Sequence, residues 1–366
     1  MVRAAGGIFT PFLVALRTRP VGSTALYPIC GLYATKLRGD CGLLYATAAI
    51  VSPCEPVRIS TFPTNSLDES NSFSFMFDLR VVGDFLLVRV GLHVSISGTI
   101  DHAVDRAREL GCDTFQIFTR NPRGWKYKKL DREEVNEFKR KNASDSMTPV
   151  VAHMPYLPNL SSPKKLIYNR SVKSVSAELD RCGILGVQYL VTHLGSHMGK
   201  GQDLGLERIT GAINQALSEN PNEVMLLLEN TAGTKNSMGS SFEDLKKILD
   251  RVDERSRVGV CFDTAHAYAA GYDLHSPRGV DETIVKFDSV LGMGILKVIH
   301  LNDSKNGLGS GRDRHEHIGM GYIGEKGFKT LLKHEAVRNL PFIMETPIDD
   351  RRDEAGNMQK VRELSA

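Results

Sequence analysis

From about residue 87 to the end of the sequence, short apolar segments typical of strands alternate with longer amphipathic segments typical of helices. The segment LVRVGLHV (87–94) is apolar and β-branched, which predicts a strand. GTIDHAVDRARELG (98–111) follows, with apolar residues at the i, i+3, i+4 and i+7 spacing of an amphipathic helix. The same alternation then continues, and the further predicted strands are DTFQIFT, TPVVAH, VQYLVTH, EVMLLLE, VGVCFD, LKVIHL and PFIME.

Eight predicted strands that alternate with helices over residues 87–366 indicate an α/β fold, a (β/α)8 TIM barrel. A doubly wound open sheet is the alternative that this alternation allows. Residues 1–86 lack the pattern and are predicted to be a poorly ordered N-terminal extension in front of the barrel domain. Within the barrel, Ser240 stands three residues before Glu243, which predicts a capping box at a helix N-terminus.

The first 39 residues contain arginine and lysine but no acidic residue before Asp40. Composition of this kind is found in organelle-targeting peptides, and an unstructured extension is the alternative. Because the segment lacks a clear amphipathic helix and a cleavage site, we expect a cytoplasmic or nucleoid-associated protein, with organelle targeting as the second interpretation. No run approaches the roughly 18 apolar residues that a membrane span needs, so no membrane association is expected.

Charge and cysteine content narrow the classes of function. The 46 basic and 43 acidic residues give a net charge of only +3, which requires no extended nucleic-acid clamp but allows a local basic patch. The 6 cysteines include no CxxC pair, which argues against a disulfide framework and against a thiolate zinc site. Cys261 is expected to be an ordinary buried strand residue.

The predicted strands of the second half end in residues that can bind a metal ion. These strand-end residues are His153, His193, Glu229, Asp263, His300 and Glu345. The carboxyl ends of barrel strands meet at one mouth, so their side chains are expected to converge there. Any one of them alone is more often a hydrogen-bonded core residue or a cap, but six in succession indicate a metal centre.

Three more residues of the same types lie close to these strand ends. His266 follows Asp263 by three residues, and Asp313 and His315 occupy alternate positions that point the same way in an extended loop. The set of five histidines and four carboxylates contains no thiolate, which suits catalytic Zn²⁺, Mn²⁺ or Fe²⁺ better than structural zinc. Nine ligands exceed the need of one ion, and they fill three sites if a carboxylate bridges two of them.

Two other segments suggest ligands. RNPRGWKYKK (120–129) places five cations around a Trp and a Tyr, which suits a surface that tracks a nucleic-acid backbone and stacks on bases. A solvated loop with one buried Trp is the alternative. Gly319, Gly321 and Gly324 form a GxGxxG pattern, but it follows a charged loop instead of an apolar strand, so no nucleotide cofactor is expected.

The chain resembles the endonuclease IV family of apurinic/apyrimidinic endonucleases from about residue 90 to the C-terminus. The segments that carry the resemblance, in family order, are GLHVSISG, FTRNPRGW, AHMPYLPNL, THLGSH, LLLENTAG, FDTAHAYAAGYD, HLNDSKNGLGSGRDRHEHIGMGYIG and METP. The resemblance implies a TIM barrel with three zinc ions. It also implies cleavage of duplex DNA 5′ to an abasic site, which leaves a 3′-hydroxyl and a 5′-deoxyribose phosphate.

Family roles carry over position by position. The resemblance implies a first zinc held by His153, His193 and Glu229, a second by Glu229, Asp263, His300 and Glu345, and a third by His266, Asp313 and His315. It implies catalytic roles for Glu229 and Glu345 and insertion into the DNA duplex by Arg123, Tyr156 and Leu157. Leu194 stands where the family commonly has Pro after the second histidine ligand, a departure that leaves the ligand in place. Gly124 replaces a larger side chain beside Arg123, which leaves the detail of duplex insertion open.

We therefore expect a monomeric, zinc-dependent DNA repair endonuclease of base excision repair, with Mn²⁺ or Fe²⁺ as alternatives at some sites. One alternative is a sugar isomerase or epimerase on the related metal-dependent barrel. Such an enzyme has no evident use for the His153/His193 pair, for the Asp313/His315 pair or for the Trp-containing loop. The other alternative is a non-catalytic protein that binds lesions, against which the complete ligand set argues.

Overall fold

The computed structural model describes residues 88–366 in full and, before them, the backbone of three strands. The chain divides into two compact units, Met1–Val82 and Gly83–Ala366. In the first unit, β1 (Leu32–Arg38), β2 (Leu44–Ile50) and β3 (Thr61–Pro63) form an antiparallel sheet in the order β1-β2-β3. The rest of the predicted extension, including most of the Arg-containing first 39 residues, lies outside the described residues.

The second unit is a closed barrel of eight parallel strands, which confirms the predicted fold and excludes the open sheet. The barrel strands are β4 (Val90–His93), β5 (Thr114–Phe118), β6 (Val150–His153), β7 (Tyr189–Thr192), β8 (Met225–Glu229), β9 (Val258–Asp263), β10 (Leu296–His300) and β13 (Phe342–Met344). Neighbours follow chain order from β4 to β10, and β13 closes the barrel between β10 and β4. Between β10 and β13, the short strands β11 (Asp303–Ser304) and β12 (His315–Glu316) pair antiparallel.

Helices connect the strands and cover the outside of the barrel. They are α1 (His102–Glu109), α2 (Arg132–Asp145), α3 (Lys165–Leu185), α4 (Gln202–Glu219), α5 (Phe242–Leu249), α6 (Thr264–Ala270), α7 (Pro277–Leu291), α8 (Gly324–Lys333) and α9 (Glu354–Ser365). The predicted cap at Ser240 is wrong by one residue, because the side chain of Ser241 accepts the hydrogen bond from the Asp244 N–H at the start of α5. In the part of the chain that the structure describes, no helix combines the length and the apolarity that crossing a membrane requires.

Buried side chains inside the barrel show why the metal-binding residue types converge. One interior cluster consists of a residue from each of six strands: Val151, Val191, Leu227, Cys261, Val298 and Ile343. Side chains of a strand alternate between its two faces, so the residue two positions later faces the same interior. Those later residues are His153, His193, Glu229, Asp263, His300 and Glu345. The apolar layer therefore forms the floor of the mouth. Cys261 belongs to that floor as predicted, and burial raises the pKa of its thiol to about 12.

Candidate metal centre

The first group of side chains at the mouth contains His153, His193 and Glu229, whose ligand atoms lie close enough to share one ion. His153 Nε2 lies 3.2 Å and His193 Nε2 lies 2.8 Å from Glu229 Oε2. His193 stands one residue beyond the end of β7 and is the more exposed of the two imidazoles. The Nδ1 atom of His153 is 2.7 Å from the Met154 carbonyl, an acceptor that holds the imidazole proton on Nδ1 and leaves the lone pair of Nε2 available to an ion.

The second group contains Glu229, Asp263, His300 and Glu345. His300 Nδ1 lies 2.9 Å from Glu229 Oε1, 3.4 Å from Glu345 Oε2 and 3.9 Å from Asp263 Oδ2. Glu229 thus directs one oxygen to each of the first two groups, which is the geometry that a bridging carboxylate needs. Its side chain and that of His300 are fully buried, whereas the side chain of Glu345 is 20% exposed and faces the open mouth.

The third group brings together His266, His315, Asp263 and Asp313. His266 Nε2 lies 3.1 Å and His315 Nε2 lies 3.6 Å from Asp313 Oδ1. His315 Nε2 also lies 3.8 Å from Asp263 Oδ2, so Asp263 stands between the second and third groups instead of belonging to the second alone. Two carboxylates, Glu229 and Asp263, therefore connect the three groups in series, and all nine residues expected at the metals meet at one mouth.

These residues fit metal ions in number, chemistry and spacing. Ligand atoms about 2.0–2.1 Å from a tetrahedral zinc ion are about 3.3 Å apart, and the separations above scatter around that value. The Nε2 atom of His315 is buried, and no hydrogen-bond partner for it is present in the described chain. A buried imidazole nitrogen without a partner, flanked by two carboxylates, is suited to a cation.

The electrostatics of the mouth favour the ionised forms of Glu229 and Asp313. Burial raises the pKa of Glu229, but the charges of His193 and His300 outweigh burial and hold that pKa well below its usual range. Burial also opposes the ionised form of Asp313, yet the hydrogen bond from His266 and its charge lower the pKa of Asp313 to about 2. Burial lowers the pKa of His266, but Asp263 and Asp313 raise it to about 10. Metal ions entering this site would displace the imidazole protons.

Two side chains in the same ring were missed by the sequence reasoning. His93 ends β4, and its Nδ1 lies 3.3 Å from Glu345 Oε1. Gln116 lies in the middle of β5, and its amide contacts His93, Glu345 and His300. A signal for His93 was available, since it is the second-last residue of the predicted strand 87–94 and lies close to the strand end, as the other residues do. Gln116 gave no such signal, because it lies within a strand and is not a metal-binding residue type.

The loops around the mouth carry the three residues expected to contact DNA. Arg123 is exposed in the loop after β5, and Tyr156 and Leu157, in the loop after β6, are 68% and 39% exposed. The two loops are joined by a hydrogen bond from the Tyr156 N–H to the Pro122 carbonyl. The Tyr156 ring packs edge-on against Phe118, 5.2 Å between centroids, at the end of β5. Tyr156 and Leu157 therefore present exposed apolar surface at the rim of the mouth.

A buried ionic network supports the loop that carries Arg123. Glu178 of α3 is fully buried and accepts hydrogen bonds from Arg120 Nε and Thr119 Oγ1 at 2.5 Å. Arg120 also donates to the Gly124 carbonyl at 2.7 Å, and Arg181 donates to the Lys128 carbonyl at 3.0 Å. The basic segment is therefore held at both ends by guanidinium groups and is not a freely solvated loop.

Exposed cations are frequent on the loops at the carboxyl ends of the strands, although the net charge of the chain is small. Those on the loops after β5, β7, β8 and β10 are Arg123, Lys126, Lys128, Lys129, Lys200, Lys235, Lys305, Arg312 and Arg314. The same loops carry exposed apolar side chains, namely Tyr127, Met198, Leu308, Met320 and Tyr322. A cationic rim with apolar and aromatic tips is suited to a polyanion that has exposed bases.

The GxGxxG segment wraps around a carboxylate of the protein itself. Asp303 Oδ2 accepts hydrogen bonds from the N–H groups of Gly319 (3.0 Å) and Gly321 (2.9 Å), and Asp303 Oδ1 accepts from Ile323 (2.9 Å). A Cβ atom at Gly321 would lie 2.4 Å from the Ser304 carbonyl, so only glycine fits. Asp303 thus occupies the anion position that a dinucleotide phosphate takes in the cofactor motif, and it anchors the connection that contains Asp313 and His315.

Comparisons with known proteins agree with this geometry. A family model described as a xylose isomerase-like TIM barrel matches residues 104–365. The probable endonuclease 4 of Methanoculleus marisnigri is 55% identical over 280 residues, which cover 76% of this chain and 99% of that protein. The crystal structure of endonuclease IV from Thermus thermophilus has a TM-score of 0.68 and 34% identity, and the match covers 75% of this chain and 98% of that chain. The crystal structure of a D-tagatose 3-epimerase-like protein matches with 18% identity and a TM-score of 0.58, over 75% of this chain and 96% of that chain. At this identity the match shows only that the two proteins share a fold.

Proposed function

Since the chain belongs to the endonuclease IV family of apurinic/apyrimidinic endonucleases, we propose that it incises duplex DNA at abasic sites. It hydrolyses the phosphodiester bond 5′ to the lesion and leaves a 3′-hydroxyl and a 5′-deoxyribose phosphate, as base excision repair requires. We propose that it acts as a monomer, that residues 87–366 suffice for the reaction, and that it works in the cytoplasm or on the nucleoid.

Three zinc ions per chain are the proposed cofactors, with Mn²⁺ or Fe²⁺ as alternatives at some sites. His153, His193 and Glu229 would hold the first ion, and the second would lie among Glu229, Asp263, His300 and Glu345. The third would lie among His266, Asp313 and His315, with Asp263 close by. When bound, zinc supplies Lewis-acid stabilisation of phosphate oxygens and activates a water nucleophile at neutral pH.

The side chains of Glu229 and Glu345 determine where the metal ions and the phosphate would lie. Glu229 contributes one oxygen to the first group and one to the second, so it fixes the spacing between them. Glu345 is the partly exposed carboxylate of the second group, so it lies where a phosphate entering the mouth would arrive. With three divalent ions bound, the four carboxylates would leave the mouth net positive, which would attract the phosphate backbone. Glu229 and Glu345 are therefore the proposed catalytic carboxylates.

Recognition of the lesion is assigned to the rim. Arg123 and Tyr156 lie in adjoining loops, and the ring of Tyr156 stands on Phe118 with its outer face open. A phenol ring can stack on an exposed base, and a guanidinium can occupy stacking space while it contacts phosphate. Leu157 adds an apolar contact. A nucleotide without its base leaves the helical stack at the lowest cost, so these loops favour abasic sites over intact duplex.

The observation that carries the proposal is the series of three connected groups at one mouth, linked by Glu229 and Asp263. A sugar epimerase mechanism on the related barrel would use the second group and would leave the other two without a role. The cationic rim and the buried ionic network under the Arg123 loop also suit a long polyanion better than a small sugar.

The test is incision of a labelled duplex that contains one abasic analogue, with and without a chelator. The expected product carries a 3′-hydroxyl that a polymerase can extend, and it disappears when the metal is removed and returns when zinc is added. An undamaged duplex of the same sequence is the control and should stay intact. Tight binding without any incision in the presence of zinc would show a lesion-binding protein instead, and neither binding nor incision would contradict the proposal altogether.

A further inference from the structure

The imidazoles of the metal centre differ in which nitrogen faces the cluster. In three of these rings, Nδ1 lies close to a backbone carbonyl. The distances are 2.7 Å from His153 to Met154, 3.0 Å from His266 to Asn230 and 3.0 Å from His315 to Glu345. A carbonyl can only accept, so each of these rings carries its proton on Nδ1 and presents Nε2 to the cluster. Because these acceptors belong to the backbone, the protein fold itself sets the tautomer.

His300 is turned the other way. Its Nδ1 faces the carboxylates of Glu229 and Glu345, at 2.9 and 3.4 Å, and its Nε2 lies 2.8 Å from Gln116 Oε1. For Nδ1 to bind a metal ion, the proton must reside on Nε2, and Gln116 Oε1 is the acceptor that holds it there. The tautomer of His300 therefore depends on a side chain and not on the backbone.

The orientation of the Gln116 amide is itself fixed by its other neighbours. Its Nε2 donates to Glu345 Oε1 at 2.6 Å and to His93 Nδ1 at 2.8 Å. A carboxylate only accepts, so the amide nitrogen must face Glu345 and the amide oxygen must face His300. The same bond occupies Glu345 Oε1 and leaves Oε2 directed at His300 Nδ1. Gln116 is fully buried, which shields the amide from bulk water.

We infer that Gln116 is a positioning residue of the metal centre, which presents His300 to the second metal ion through Nδ1 and aims Glu345 Oε2 at the same ion. This inference rests on the proposed metal centre and adds a residue to it that binds no metal. Partners of this kind, one shell outside the ligands, affect metal affinity by about 10–100-fold when they are removed.

The test compares Gln116→Met with the wild-type protein. Methionine keeps the length and the volume of the side chain and removes both the acceptor for His300 and the donor for Glu345. The matched control is Thr114→Val, two residues earlier on the same strand, whose buried hydroxyl donates to the Pro149 carbonyl. Metal affinity is measured by competition with a chelator on the purified full chain, and unfolding of the metal-free proteins is measured in parallel.

Gln116→Met should weaken one metal ion per chain by about 10–100-fold. Thr114→Val should bind metal as the wild type does. If the wild type binds three ions and Gln116→Met binds them with unchanged affinity, the inference about Gln116 is wrong while the metal centre stands. If the wild type itself binds no metal ion, the proposed metal centre is wrong, and so is the role of Gln116 that rests on it.

A second measurement uses the wild-type protein and does not depend on how the variant folds. In cadmium-substituted protein with isotopically labelled histidines, magnetic coupling between the metal and a ring nitrogen identifies the nitrogen that binds. One ligand imidazole should couple through Nδ1 and carry its proton on Nε2, while the others couple through Nε2. Coupling through Nε2 in every ligand imidazole would overturn the assignment of His300 and, with it, the role of Gln116.

Discussion

Replacing Glu178 by Gln tests whether the buried ionic network under the Arg123 loop stabilises the barrel and shapes the rim. Glu178 is fully buried, and the side chains of Arg120 and Arg181 around it are nearly so. Glu178→Gln removes the carboxylate that pairs with Arg120 and the negative charge nearest to the buried guanidinium of Arg181. Breaking a buried ion pair from one side costs about 3–5 kcal/mol, and we expect the lower end because the Gln oxygen still accepts one hydrogen bond.

The folded domain should survive this loss, since domains are stable by about 5–15 kcal/mol, but its free energy of unfolding should fall by about 3 kcal/mol. The loop should also loosen, because Arg120 and Arg181 hold the carbonyls of Gly124 and Lys128. The affinity for abasic duplex should therefore drop. The metal content should stay at the wild-type level, since within the described residues the network makes no hydrogen bond to the nine metal-centre residues.

The assays are chemical unfolding followed by circular dichroism, equilibrium binding to abasic duplex and elemental analysis. The matched control is Glu282→Gln, which removes the carboxylate of an exposed pair with Arg278 and should leave all three measurements unchanged. The reasoning is refuted if Glu178→Gln unfolds at the same denaturant concentration as the wild type. If it is destabilised as expected but binds abasic duplex normally, the network stabilises the barrel without shaping the rim.

Four further outcomes are expected. Glu229→Gln should abolish incision and lower the metal content of a folded barrel, because a neutral amide cannot bridge two cations; activity like that of the wild type would contradict its bridging role. Arg123→Ala combined with Tyr156→Ala should weaken binding to abasic duplex by about 2–6 kcal/mol without changing the metal content, at about 1–3 kcal/mol per stacking group; unchanged binding would exclude duplex insertion by these residues. Asp303→Asn should make the connection between β10 and α8 sensitive to protease and should release the third metal ion, because the new amide N–H groups would face backbone donors. Full protection from protease would argue against Asp303 as the anchor of this connection. A chain that begins at Gly83 should fold and incise abasic DNA like the full chain, and insolubility on truncation would show that the first unit is needed.

The barrel was predictable because its strands are short, apolar and regularly spaced. The residues at the strand ends were predictable as well, because each closes an apolar run and the carboxyl ends of barrel strands meet at one mouth. Four of the observed strands end at the predicted residue, namely His153, Glu229, Asp263 and His300. His193 and Glu345 lie one residue beyond their strands and still face the same interior. Their proposed roles as ligands stay predictions that the metal measurements test.

Relations that depend on closure of the barrel were not predictable. Gln116 meets Glu345 only because β13 closes the barrel beside β4, which brings together residues 229 positions apart in the chain. The place of Asp263 between the second and third groups depends on the fold of the connection after β10, which the spacing of Asp313 and His315 does not reveal.

The glycine pattern near the end of the sequence lacks the strand context of a nucleotide motif. Its structural role, the enclosure of Asp303 by the loop, depends on a contact that the sequence does not reveal. The sequence placed that aspartate 16 residues before the first of these glycines, and no local pattern connects the two.

The most direct test of the account is a zinc titration of metal-free protein, with incision of abasic duplex measured at each step. Three connected groups predict that incision stays low through the first two equivalents of zinc and reaches its full rate at about three equivalents per chain. Full incision at one equivalent per chain would contradict a centre that needs three ions.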